Sequence, residues 1–136
     1  MTRSIAFRRT AIALGAGLLL AGPAVPQARP ALPLLDRLEA GQWELRGAGN
    51  ALIAAICLGD RAALAQPYHR GLACQQSVIS SDARSVTVRY SCPGVGSGRT
   101  EILVETPRLA QIDSQGLDRG APFALRAEAR RTGACA

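Results

Sequence analysis

The second half of the chain leaves little choice of fold. "VTVRY" sets Val86, Val88 and Tyr90 on one side and Thr87 and Arg89 on the other. "TEILVET" puts Ile102 and Val104 inward and Glu101 and Glu105 outward, with Leu103 left on the outer side. "PFALRAEAR" aligns Phe123, Leu125, Ala127 and Ala129 against Arg126, Glu128 and Arg130. Side chains alternate along a strand with a period of two, so each segment reads as a strand with one buried face. The breaks between them, "SSDA", "PGVGSG", "TPR" and "QGLDRG", are short and made of turn-forming residues. Parallel neighbours need crossovers of about a dozen residues or more, so these strands run antiparallel as a meander.

The first half is less uniform. "PLLDRLEAG", from Pro33 to Gly41, carries Leu34, Leu35 and Leu38 at helical spacing. Proline at the start and glycine at the end suit a short helix. "QWELR" alternates as a half-buried strand, with Trp43 and Leu45 on one side. "GAGN" is a turn. "ALIAAICL" is apolar on both faces and reads as a central strand. Asp60 can cap a second short helix, "RAALAQ", which Pro67 ends. The expected fold is mainly β: an antiparallel meander forming a curved sheet or small barrel-like sandwich, with two short helices.

Residues 1–28 are read as a signal peptide and residues 29–136 as a single β-rich domain. "MTRSIAFRRT" has Arg3, Arg8 and Arg9 and no acid, and the apolar run "AIALGAGLLLAGPAV" ends among small residues and prolines. Those are the three parts of a secretory signal, with cleavage after Ala24 or Ala28. The run is too short to span a bilayer core of roughly 30 Å, so no transmembrane span is expected after cleavage. The full chain has a net charge of +6. Three arginines leave with the signal, which removes much of the basicity that nucleic-acid binding would need. The remaining domain is periplasmic or secreted on this reading.

Its aromatic content is small: Trp43, Tyr68, Tyr90 and Phe123. Small domains with thin cores commonly need covalent staples. Cys57, Cys74, Cys92 and Cys135 supply an even count, which in an exported chain reads as two disulfides. Their wide spacing, without a C-x-x-C pair, argues against a zinc site. A hairpin turn centred at Ala83 pairs Ser80 with Val86, Val78 with Val88, Gln76 with Tyr90 and Cys74 with Cys92. Opposed residues have Cβ atoms roughly 4.5–5.5 Å apart, close to disulfide reach. Cys74–Cys92 is therefore preferred, with Cys57–Cys135 as its complement; Cys57–Cys74 stays open as an alternative. Closing the long loop from 57 to 135 stabilises by roughly 4 kcal/mol in the chain-entropy model.

Several stretches resemble chemistry-bearing motifs. "PGVGSGRT" approaches a phosphate loop, but Pro93 stands where its first glycine belongs and Arg99 where its lysine belongs. That loop must also lead into a helix whose N-terminus faces the phosphate, whereas Thr100 leads into an alternating strand. The glycines read as a hairpin connection. His69, the only histidine, can act as a general base if Asp113 and Ser114 lie beside it, yet no G-x-S-x-G elbow accompanies them. Otherwise it is a solvated loop residue after Pro67. Glu101 and Glu105 suggest paired acids but read as a solvated strand face. Arg130-Arg131 reads as a strand edge. No catalytic, cofactor-binding or metal-ligating residue is assigned.

"GQWEL" at the start of the domain, the four cysteines and the closing "RRTGAC" resemble the proteobacterial family catalogued as domain of unknown function 3617, in its sphingomonad form. The resemblance covers roughly Gly41 to Cys135. Many members carry a Thr-Pro-Glu-like turn after the first cysteine, where this chain has Leu58-Gly59-Asp60. The resemblance implies an exported β-rich domain and no activity. The expected function is a non-catalytic binding or structural component of the cell envelope, holding a small lipophilic ligand on its apolar face or docking an envelope protein. The alternative is a small periplasmic hydrolase using His69 with a nearby carboxylate.

Overall fold

The computed structural model describes residues 29–136; residues 1–28, read from the sequence as a signal peptide, and the cleavage positions expected there lie outside the described residues. The strands are β1 (Gly41–Arg46), β2 (Leu52–Leu58), β3 (Gln75–Ser81), β4 (Ser85–Cys92), β5 (Gly96–Thr106), β6 (Leu109–Asp118) and β7 (Ala121–Gly133). They form one curved antiparallel sheet in the order β2-β1-β7-β6-β5-β4-β3. The run from β3 to β7 is the meander that the alternation requires. β1 then pairs with β7, and β2 closes the far edge. Residues 59–74 connect one edge strand to the other, so this segment must travel across a face of the sheet.

That crossing builds the core. Alternate residues of each strand turn one face inward: Trp43 and Leu45, Val86 and Val88, Ile102 and Val104, Ala110 and Ile112, Ala127 and Ala129. Leu32, Leu34, Leu35 and Leu38 cover this face from the N-terminal side, and Leu64 and Ala65 cover it from the crossing segment. The alanines of β6 and β7 keep the sheet low beneath the leucines and the indole. Trp43 is wholly buried and its indole N–H donates to the Glu39 carbonyl at 2.9 Å.

Both expected helices appear as single 3-10 turns, at Leu35–Arg37 and Arg61–Ala65, with a third at Ala48–Asn50. Leu32, Leu35 and Leu38 are spaced by three; the Leu35 N–H donates to the Leu32 carbonyl and the Leu38 N–H to the Leu35 carbonyl. A 3-10 turn eclipses such residues on one face, which an α-helix would rotate apart. Asp60 caps its turn as expected, accepting from the Ala62 N–H at 3.0 Å.

β2 is an edge strand, not a central one. Only Ala54 and Leu58 are buried in it, and Leu52 and Ile53 stand exposed. Its apolar look reflects small alanines more than burial on two faces. Each edge strand carries a bulge with an exposed isoleucine as the extra residue, Ile53 in β2 and Ile79 in β3. Such bulges twist an edge away from further pairing.

The hairpin of β3 and β4 pairs Val78 with Val88 and Gln76 with Tyr90. Nearer the turn the bulge shifts the register by one, so Val86 faces Ser81 and not Ser80. Beyond the hairpin, Cys74 and Cys92 are joined, with Cα atoms 4.2 Å apart. The second disulfide joins Cys57 to Cys135 across 78 residues, Cα to Cα 5.5 Å. The first is buried beside Tyr90, whereas the second is exposed.

Candidate functional site

The inward face changes character along the strands. Across β7 to β4 one row reads Ala127, Ile112, Ile102, Val86. The next reads Leu125, Ser114, Thr100, Val88 and the one after it Phe123, Gly116, Gly98, Tyr90. The last row holds Gly96 and Cys92. At this end, aliphatic packing gives way to hydroxyls, glycines and aromatic rings.

The glycine segment has two jobs. The turn is Pro93–Val95, and only Gly94 has positive φ there, at 74°. Gly96 and Gly98 are not part of the connection, contrary to the turn reading; they belong to β5. Separated by two, they share the inward face, where their missing side chains leave room. A Cβ on Gly98 would lie 2.5 Å from the Tyr90 hydroxyl oxygen and 2.6 Å from its Cζ. One on Gly96 would lie 3.0 Å from His69 Nε2. The segment continues past Thr100 as β5, so no helix N-terminus meets it.

His69 is the central polar group of this end. It is only 4% exposed, not the solvated loop residue its position after Pro67 suggests. Its Nδ1 lies 3.1 Å from the Tyr90 hydroxyl and its Nε2 lies 3.3 Å from Asp118 Oδ1. Tyr90 also hydrogen-bonds Ser114, and Ser114 Oγ lies 2.8 Å from Thr100 Oγ1. The result is a continuous chain: Asp118, His69, Tyr90, Ser114, Thr100. Burial pushes the Tyr90 phenol above its usual pKa, partly offset by the Ser114 bond. Phe123 packs edge-on against His69 and stacks on Tyr68 with centroids 4.1 Å apart. Gln66 completes the support: its amide donates to the carbonyls of His69 and Leu72 and accepts from Gln76.

This arrangement does not assemble the imagined triad. The carboxylate beside His69 is Asp118; Asp113 projects from the opposite face and pairs with Arg126 at 2.9 Å. Ser114 is inward but meets Tyr90 and Thr100, not the imidazole. Both ring nitrogens of His69 are engaged, and the main surface grooves are lined by other residues. A general base needs a substrate proton within hydrogen-bond reach, and here that position is filled by tyrosine. The chain of bonds fastens the crossing segment to the sheet.

The remaining candidates are dispersed. Glu101 and Glu105 are both exposed, Glu105 as the extra residue of a bulge. Arg130 pairs with Glu128 at 2.9 Å and Arg131 reaches back to the Ala40 carbonyl. Among the described residues there is no group of three or more His, Cys, Asp or Glu that could hold a metal, and no helix is long and apolar enough to cross a membrane. Asp118 and Tyr90 were not singled out from sequence as partners of His69. The signal for Tyr90 was present, because glycines at alternate positions of a strand invite a large ring opposite. No family model, no curated protein and no solved structure matches the chain.

Proposed function

We propose that this chain is an exported, non-catalytic domain of the cell envelope, working by binding or as a structural component, of the kind that the resemblance to domain of unknown function 3617 implies. The observation that carries this reading is the engagement of His69. The only histidine is buried, and both of its ring nitrogens are occupied by side chains that anchor the crossing segment. Two disulfides support export, since such bonds persist in oxidising compartments. The apolar face proposed to hold a lipophilic molecule is packed with the chain's own Leu32, Leu35, Leu38 and Leu64. Recognition therefore falls to the outer face and its grooves.

The test uses the full chain expressed with its leader in a Gram-negative host. The periplasmic fraction should contain a protein lacking 24 or 28 residues, with the four thiol hydrogens gone in the denatured mass. A cytoplasmic protein with free thiols overturns the export reading. The purified protein is then assayed on activated esters beside His69→Ala. Loss of thermal stability without any turnover to lose is expected; turnover that His69→Ala abolishes refutes the non-catalytic reading and restores the hydrolase.

A further inference from the structure

The outer face of the sheet treats its arginines unequally. Arg46 is held by Glu44 at 2.7 Å, Arg126 by Asp113 at 2.9 Å and Arg130 by Glu128 at 2.9 Å. Arg89 and Arg99 stand directly opposite each other on β4 and β5, exposed, and neither has a carboxylate within ion-pair distance among the described residues. Like charges directly opposed across strands are unfavourable. The nearest acid by register is Glu101, two residues along β5, and among the described residues it makes no ion pair with either.

The neighbours of this pair are donors. Ser77 faces Arg89 from β3, Gln115 faces Arg99 from β6, and Ser91 and Ser97 form the next pair along. Arg89, Gln75, Ser77 and Ser91 also line a groove of about 470 Å³ that reaches Arg29 and Gln76. The Gln76 side-chain oxygen is buried and receives no donor from the protein, because its amide nitrogen is turned to Gln66. The groove thus pairs cationic forks with hydroxyl and amide groups.

We propose that Arg89 and Arg99 form a binding site for a phosphate group, with the hydroxylated remainder of the ligand lying in the groove along Ser77 and Ser91 toward Gln76. Two planar guanidinium forks match the charge and the several oxygens of a phosphate better than a single carboxylate. Thirteen arginines against ten acids over the described residues favour an anionic ligand overall. The phosphate belongs to a free phosphorylated compound or to a lipid headgroup. This assignment rests on the binding reading above: a protein that is exported and oxidised yet ignores phosphate keeps that reading and loses this site.

The experiment uses the oxidised, processed protein. Its melting temperature and calorimetric titration are compared in sodium phosphate and in sodium chloride at equal ionic strength. Sedimentation is measured with vesicles of phosphatidylglycerol and of phosphatidylcholine. Arg89→Gln, Arg99→Gln and the control Arg126→Gln are tested alongside. Phosphate should raise the melting temperature, and either Arg89→Gln or Arg99→Gln should weaken binding about tenfold or more, as expected for a lost charge-assisted bond. Arg126→Gln should bind as wild type does. The double variant should melt no lower than wild type in chloride, because it removes opposed charges. Binding to phosphatidylglycerol vesicles alone, lost in both variants, also supports the site and identifies a headgroup. No response to either probe, or equal loss in Arg126→Gln, overturns it.

Discussion

Replacing Gly98 by alanine is the most direct test of how the aromatic end is built. In most settings Gly→Ala at a compatible backbone stabilises by about 0.4–1 kcal/mol, through the unfolded chain. Gly98 is not among the glycines with positive φ, so its backbone accepts alanine. The obstacle is Tyr90, whose hydroxyl oxygen, Cζ and Cε1 would lie 2.5, 2.6 and 2.7 Å from the new methyl. Ordinary contact requires about 3.5–4.0 Å, so the ring must retreat by roughly 1 Å. It has nowhere to go: Tyr90 is 1% exposed and bonded to both His69 and Ser114. Overpacking of this kind costs about 1–3 kcal/mol, which outweighs the entropic gain. The melting temperature should fall by roughly 5–20 °C for a domain of this size. Thermal unfolding of the oxidised protein by circular dichroism measures it. Gly59, open on all sides without positive φ, is the counter-case: Gly59→Ala should stabilise by about 0.4–1 kcal/mol. In a Tyr90→Leu background Gly98→Ala should lose most of its penalty, because the ring end is gone. A Gly98→Ala protein as stable as wild type would refute the claim that the glycines exist to seat the ring.

Other perturbations follow from the same structure. Ser114→Ala should cost about 1–3 kcal/mol in a urea titration, since it deprives two buried hydroxyl groups, on Tyr90 and Thr100, of a partner. Burial raises the Tyr90 pKa above its unfolded value near 10, so its contribution to stability is intact below about pH 10 and is lost as pH rises through the folded value. Denaturation midpoints measured across this alkaline range should decline in wild type and decline less in Tyr90→Phe. Under mild reductant with an alkylating label, Cys57 and Cys135 should be modified before Cys74 and Cys92, because only the first pair is exposed; peptide mass mapping reads the order. Replacing Cys57 and Cys135 together by serine should destabilise by roughly 4 kcal/mol, and Cys74 with Cys92 by roughly 3 kcal/mol, following loop length.

What the sequence determined by itself is local. Alternation is written in neighbouring residues, so the strand segments "VTVRY", "TEILVET" and "PFALRAEAR", their inward faces and the antiparallel sense could be read directly, whereas Gly96, Gly98 and residues 115–118 read as turns and belong to β5 and β6. The hairpin of β3 and β4 was legible for the same reason, up to the bulge at Ile79, whose extra residue leaves no mark in the alternation of a polar strand. Tertiary structure decided everything that depends on distant partners. β2 looks central because its residues are apolar, yet the sheet puts it at an edge, since β1 has β7 on its other side. Leu35 takes 3-10 geometry, flanked by Leu32 and Leu38, because all three must press on one sheet face. His69 meets Asp118, 49 residues away, only because residues 59–74 cross the sheet from one edge to the other. In a short window a histidine after proline and a glycine among glycines are loop signals. The crossing turns the first into a buried anchor, and the cross-strand ring turns the second into its seat. Local chemistry chose strands and turns; long-range packing chose which polar groups would be buried together.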